Sequence, residues 1–105
     1  MLIMTAGTGL YGLDAVGSLV AGDSVVVIGP GPVGLMAVQA CKVLGAERVI
    51  LVGTRTTRLE LGRRLGADHV INARDEDPIV ALNRRLGGHG ADLVIEASGA
   101  LDTPQ

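Results

Sequence analysis

The apolar residues of this chain fall into two alternating patterns. Four short runs are continuous and rich in β-branched residues: Ser24–Gly29 (SVVVIG), Arg48–Gly53 (RVILVG), His69–Ala73 (HVINA) and Ala91–Gly99 (ADLVIEASG). Runs of this length and composition predict strands, buried on both faces where they are most continuous. Between them the apolar positions recur every three or four residues. Val33, Met36, Ala37, Ala40, Val43 and Leu44 mark a helix that stops at Gly45. Thr57–Gly66 carries Leu61 and Leu65 on one face and a Glu60–Arg64 pair on the other, with Gly66 as its stop. A third helix is expected over Ile79–Leu86, entered through the polar turn RDEDP and closed by GGHG, Gly87–Gly90. The acidic run Asp75 to Asp77 reads as a solvated turn and helix cap. Ahead of all this, Leu2–Leu19 reads as helical despite its glycines, and Ala21–Ser24 (AGDS) as a turn.

The order is therefore helix, then β-α-β-α-β-α-β. Strands alternating with helices of this length imply right-handed crossovers and a doubly wound parallel sheet, a Rossmann-like α/β fold. For four strands the expected spatial order is 3-2-1-4. The complete fold carries two more strands beyond the fourth. Their absence makes the fourth strand an open edge in this reading and the domain truncated at its C-terminal end.

Composition narrows the function. The chain has 105 residues, 48% of them apolar, and a single aromatic, Tyr11. Its core must come from Val, Leu, Ile, Met and Ala, which suits a parallel sheet covered by helices. A net charge of −2 offers no basic patch for nucleic acid, and one tyrosine offers no stacking platform for single strands. The opening segment is too interrupted by glycine to span a bilayer and lacks a basic leader. Cys41 is alone, so neither a disulfide nor a Cys-rich zinc site forms within the chain. A soluble protein of the reducing cytoplasm is the expectation.

The chemistry concentrates in one corner. Between the first predicted strand and the first predicted helix, GPGPVG places Gly29, Gly31 and Gly34 in the spacing G-x-G-x-x-G. Each glycine has its own task if the corner binds a dinucleotide. Gly29 permits the tight exit from the strand, Gly31 lets backbone approach a pyrophosphate, and Gly34 lets the helix lie close to the strand. Pro32 suits the first helical turn, where its missing N–H is no loss. The helix N-terminus then offers N–H donors and a positive dipole end to an anion. A ligand-free tight turn would have the same spacing; the surrounding strand–turn–helix array is what favours the dinucleotide.

A second diagnostic lies at the end of the next strand, where an acidic residue ordinarily hydrogen-bonds the adenosine ribose. That position, nineteen residues past Gly34, is Gly53, followed by Thr54 and Arg55, with Arg58 one turn on. No carboxylate is there to repel a 2′-phosphate, and a hydroxyl with guanidinium donors matches one. The reading favours NADP, with NAD as the alternative and solvated helix-start arginines as the bland account.

These stretches, from AGDSVVVIGPGPVGLM through GTRTTRLELGRRLGADHVINA to GGHGADLVIEASGA, resemble the cofactor domain of the zinc-dependent medium-chain alcohol and polyol dehydrogenases. The threonine and sorbitol dehydrogenase branches are the nearest in character. The resemblance implies that residues 1–22 are a connecting helix and 23–105 the NAD(P)-binding domain. It implies that Gly31, Pro32, Val33 and Gly34 line the pyrophosphate. Gly53, Thr54, Arg55 and Arg58 would surround the adenosine ribose, and Ala97, Ser98 and Gly99 would pass beside the cofactor. NADP-using bacterial members add a tyrosine near the adenine, where this chain has Ala73. In the parent enzyme a zinc ion polarises an alcohol oxygen while hydride passes to the nicotinamide. Its ligands belong to a separate catalytic half, so this chain is expected to bind no metal and to hold no catalytic residue. The parent is expected to be a homo-oligomer acting on a small alcohol or polyol.

The remaining candidates read as structural. Cys41 sits mid-helix as a buried thiol. His69 and His89 have nothing near them in sequence to complete a metal set, and Glu96 reads as a strand-end side chain reaching solvent or an arginine. Two other functions stay open at this point: a non-catalytic nucleotide-binding module of the same fold, and an S-adenosylmethionine-binding domain.

Overall fold

In the computed structural model of the chain, residues 20–29, 31–87 and 90–97 are described, together with the backbone of residues 2–5. The elements are β1 (Leu2–Thr5), β2 (Ser24–Ile28), α1 (Pro32–Val43), β3 (Arg48–Gly53), α2 (Thr56–Arg64), β4 (His69–Asn72), α3 (Pro78–Leu86) and β5 (Leu93–Glu96). They form one sheet in the order β1-β5-β2-β3-β4 with every pairing parallel. The four strands read from the sequence thus stand in the expected 3-2-1-4 order, with Val26 of β2 opposite Ile50 on one side and Val94 on the other.

Two expectations fail at the start of the chain. Leu2–Thr5 is a strand rather than the beginning of a helix, and it pairs with Leu93–Glu96 of β5. The fourth predicted strand is therefore not an edge. The physical reason is that β5 would otherwise present unpaired backbone groups, and a short apolar segment of strand-compatible residues satisfies them. The rest of the expected opening helix, 6–19, lies outside the described residues.

The two faces of the sheet follow from period-two alternation. Val25, Val27, Val49, Leu51, Leu93 and Ile95 point to the side covered by α1 and α2, where Leu35, Ala37, Val38, Cys41 and Leu59 meet them. Val26, Ile50, Val52 and Ile71 point to the other side, where α3 contributes Ala81 and Leu86. Helices on both faces make β2 and β3 nearly continuous in burial, as their compositions required, while β5 alternates buried and half-buried positions.

Helix phases differ from the expected ones. In α1 the buried stripe is Gly34, Leu35, Ala37, Val38 and Cys41, while Met36, Val43 and Leu44 are exposed, Val43 at 84%. The stripe is rotated because Gly34 must face the strand it leaves. In α2 the buried positions are Leu59 and Gly62, and Leu61 faces solvent. A Cβ on Gly62 would collide with Leu51 Cδ2 on β3. Close approach of helix to strand thus sets the phase, and Leu65 packs only at the margin. The Glu60–Arg64 pair does not form among the described residues.

Helix ends behave as read. Gly45, Gly66 and Gly87 follow the three helices with positive φ, the left-handed stop that glycine favours. Asp77 caps α3 by accepting from Ile79 N at 2.9 Å and Val80 N at 3.4 Å.

One device recurs at the sheet's lower edge. Gly66-Ala67-Asp68 precedes β4 and Gly90-Ala91-Asp92 precedes β5. Asp68 N donates to Val49 O at 2.8 Å and the Asp68 carboxylate accepts from Val49 N at 2.8 Å. Asp92 does the same with Ser24, at 2.8 and 2.9 Å. Each aspartate thereby pins the entry of its strand to the neighbouring strand, and each preceding alanine is buried. Asp68 also holds Lys42 Nζ at 3.0 Å, which ties the end of α1 to the same point.

Burial raises the Asp68 carboxyl, but the Val49 amide, Lys42 and nearby His69 outweigh it and hold it below the usual value. Its stabilising contribution is therefore complete above the unfolded carboxylate value of about 4, and disappears as pH falls through the lower folded one. Asp68→Ala should cost about 1–2 kcal/mol at neutral pH, and the difference from wild type should shrink as the pH falls below the unfolded carboxylate value, as read by urea unfolding. Burial pushes the Cys41 thiol up to about 11. Under native conditions Cys41 should resist a thiol reagent that modifies it fully once urea unfolds the chain.

Candidate cofactor site

Because all the strands are parallel, their C-terminal ends lie along one edge, and the loops that leave them gather there. Gly29 N donates to Val52 O, Ala97 N to Ile28 O and Ala73 N to Gly53 O, each at 2.8 Å. These bonds hold the exits of β2, β3, β4 and β5 side by side. The chain order reverses between β2 and β5, and a crevice outside the strand ends at such a reversal is where open α/β sheets take ligands. The glycine corner sits at that place.

Within the corner, Gly29 has φ +104°, a conformation that a residue with a Cβ rarely adopts. Gly31 is the N-cap of α1 in extended conformation, and its carbonyl accepts Leu35 N at 2.9 Å. Pro32 occupies the first turn. Gly34 lies directly over the strand exit, where a Cβ would overlap the Gly29 carbonyl oxygen. The start of α1 carries no capping side chain and no acid in its first turn. In α3 the equivalent amides are closed by Asp77. The chain thus satisfies one helix N-terminus with its own carboxylate and leaves open the one at the strand reversal.

One strand away, β3 ends at half-buried Gly53, and Thr54 and Arg55 lead into α2. Arg55 is the N-cap, with no side-chain cap bond and no acid in the first turn of α2. Arg55 and Arg58 are exposed and enter no ion pair among the described residues. Two of the predicted groups are therefore adjacent: Gly29, Gly31, Pro32, Val33, Gly34 and Ala97 at the reversal, and Gly53, Thr54, Arg55 and Arg58 beside it. Ser98 and Gly99 lie outside the described residues, as does His89. Glu96 is half-buried at the end of β5.

The matches to known proteins agree with this fold. The family model described as zinc-binding dehydrogenase covers residues 32–104. The chain belongs to the zinc-binding dehydrogenase family. It is 45% identical to an L-threonine 3-dehydrogenase of Bacillus velezensis over 78% of its length and 24% of that protein's. It is 37% identical to a sorbitol dehydrogenase of Bacillus subtilis over 74% of its length and 22% of that protein's. Among solved structures it resembles the alcohol dehydrogenase TADH of Thermus sp. ATN1, with a TM-score of 0.76 and 44% identity over 87% of this chain and 26% of that one. A Sinorhizobium meliloti 1021 structure described as a zinc-binding dehydrogenase bound to NADP has a TM-score of 0.77 and 33% identity, over 86% of this chain and 27% of that one. The chain thus spans about a quarter of these relatives.

For a member of this family, two residues near the site escaped sequence reasoning. Asn72, the last residue of β4, accepts Arg74 N at 2.9 Å through Oδ1 and approaches Thr56 Oγ1 at 3.5 Å through Nδ2. It links the exit of β4 to the start of α2. The signal was an asparagine directly after an apolar run, the usual opening of such a side-chain turn. Arg74 follows it and is exposed. No group of three or more His, Cys, Asp or Glu side chains among the described residues could hold a metal ion.

Gly34→Ala should cost about 1–3 kcal/mol, because the new methyl can be seated only by moving α1 off β2. Thermal unfolding followed by circular dichroism would show the drop, and Gly90→Ala, which meets nothing nearby, should not.

Proposed function

We propose that the chain seats NADP in preference to NAD, as the cofactor-binding part of a dehydrogenase acting on a secondary alcohol or polyol. The observation that carries the preference is the exit of β3. There Gly53 stands where a ribose-binding carboxylate would be, with Arg55 and Arg58 beside it and in no ion pair among the described residues. In the seated complex the open amides at the start of α1 would meet the pyrophosphate, helped by the helix dipole. Gly31 and Gly34 would allow the approach, and Ala97 would border the cofactor at the reversal. Thr54, Arg55 and Arg58 would surround the 2′-phosphate. The cofactor supplies hydride acceptance and donation when bound, while the residues of this chain bind and orient it.

The relatives named above supply the substrate class: L-threonine and sorbitol dehydrogenases both act on a CH–OH group. We read the zinc ligands and the substrate pocket of the parent enzyme as lying outside this chain, and the parent as a cytoplasmic homo-oligomer. The chain alone should therefore show no turnover of alcohols with either cofactor.

Fluorescence titration of the chain with NADPH, NADH and S-adenosylmethionine tests the reading. NADPH should bind more tightly than NADH, and S-adenosylmethionine should not bind. Arg55→Gln and Arg58→Gln should each weaken NADPH by about 10- to 100-fold and leave NADH nearly unchanged. Gly53→Asp should reverse the preference. Equal affinity for the two cofactors would remove the 2′-phosphate assignment, and binding of neither would remove the cofactor assignment altogether.

A further inference from the structure

We propose that Arg74 is a third guanidinium of the 2′-phosphate seat, delivered from the neighbouring strand and acting as a determinant of cofactor specificity. The proposal rests on the reading of Gly53 to Arg58 as that seat and adds a residue from another part of the fold. Ala73 N donates to Gly53 O at 2.8 Å, so the chain leaving β4 runs directly past the end of β3. Arg74 follows one residue later, about 3.8 Å further along the Cα trace. Its amide is held by Asn72 Oδ1 at 2.9 Å, and the same asparagine reaches Thr56, the neighbour of Arg55. The turn that carries Arg74 is thereby tied to the turn that carries Arg55.

The charges around this turn leave Arg74 available. It is exposed and has no ion pair among the described residues. Two of the acids that follow it have partners of their own. Glu76 lies 3.7 Å from Arg85 on α3, and Asp77 accepts the first amides of α3. Asp75, Glu76 and Glu60 of α2 line a cavity with Thr56 and Asn72 beside this turn, and that lining includes neither Gly53 nor Arg55. Three arginines approaching one strand end from two loops can share a dianionic phosphate, which accepts several charge-assisted hydrogen bonds at once. A single exposed arginine would be worth much less in water. Family resemblance pointed to Ala73 as a position lacking an adenine-side tyrosine. Arg74, the residue after it, would serve the same end of the cofactor by charge.

The test compares adenosine 2′,5′-bisphosphate with adenosine 5′-monophosphate as calorimetric probes of the full chain. Arg74→Gln should weaken the bisphosphate by about tenfold or more and change the monophosphate less than about twofold. Arg84→Gln, an exposed arginine in the last turn of α3 with the same change in net charge, should alter neither. Unchanged thermal unfolding would confirm that Arg74→Gln leaves the fold intact. If wild type prefers the bisphosphate and Arg74→Gln leaves that preference intact, Arg74 is overturned while the 2′-phosphate seat stands. If Arg74→Gln and Arg84→Gln weaken the bisphosphate equally, the effect is general charge and Arg74 is overturned. If wild type binds the two probes alike, the seat fails and the third arginine fails with it.

Discussion

The contact between Gly34 and the Gly29 carbonyl governs how the rest of this domain is arranged. Helix α1 can lie against the exit of β2 only because neither residue brings a side chain between them. That close approach sets the rotation of α1, which decides that Leu35, Ala37, Val38 and Cys41 are buried while Met36 and Val43 are not. It also aims the open end of the helix at the strand reversal. Packing and the proposed binding thus share one cause: the glycine that seats the helix on the sheet also places its amides where an anion would be received.

The same economy operates one strand over. Gly62 lets α2 settle on Leu51 of β3, much as Gly34 does for α1. That position brings Arg55 and Arg58 beside Gly53 without any acid at the start of the helix. At the opposite edge of the sheet, Asp68 and Asp92 anchor the strand entries through paired bonds to Val49 and Ser24. Rigid anchoring lies at the entry edge, and the open helix ends and arginines with no ion pair among the described residues lie at the exit edge. A fold with all its strands parallel separates the two by construction, because every strand enters at one edge and leaves at the other.

Membership of the zinc-binding dehydrogenase family gives this division its meaning. The chain spans about a quarter of relatives whose names specify threonine, sorbitol and alcohol as substrates. The described residues contain the glycine corner and strand exits that we propose seat a nucleotide, and no cluster able to hold a metal. In the proposed function, what they offer chemically is recognition and orientation of an anionic cofactor.

Much of this was legible in the chain itself. The four β-branched runs, the glycine stops, the Asp77 cap and GPGPVG each carry a local signal, because strand burial, left-handed caps and tight strand-to-helix turns demand particular residues at particular spacings. Gly53, Thr54 and Arg55 could be placed beside the glycine corner because the strand order follows from handedness. Three things needed the tertiary structure. Helix phase depended on which residue faces a strand too closely to keep a Cβ, and apolar periodicity alone put Met36, Val43 and Leu61 on the wrong side. The pairing of Leu2–Thr5 with β5 depended on backbone groups left unsatisfied far away in sequence. Arg74 became visible only once the Ala73–Gly53 bond brought the end of β4 against the end of β3, since distance along a chain says nothing about which strand exits meet.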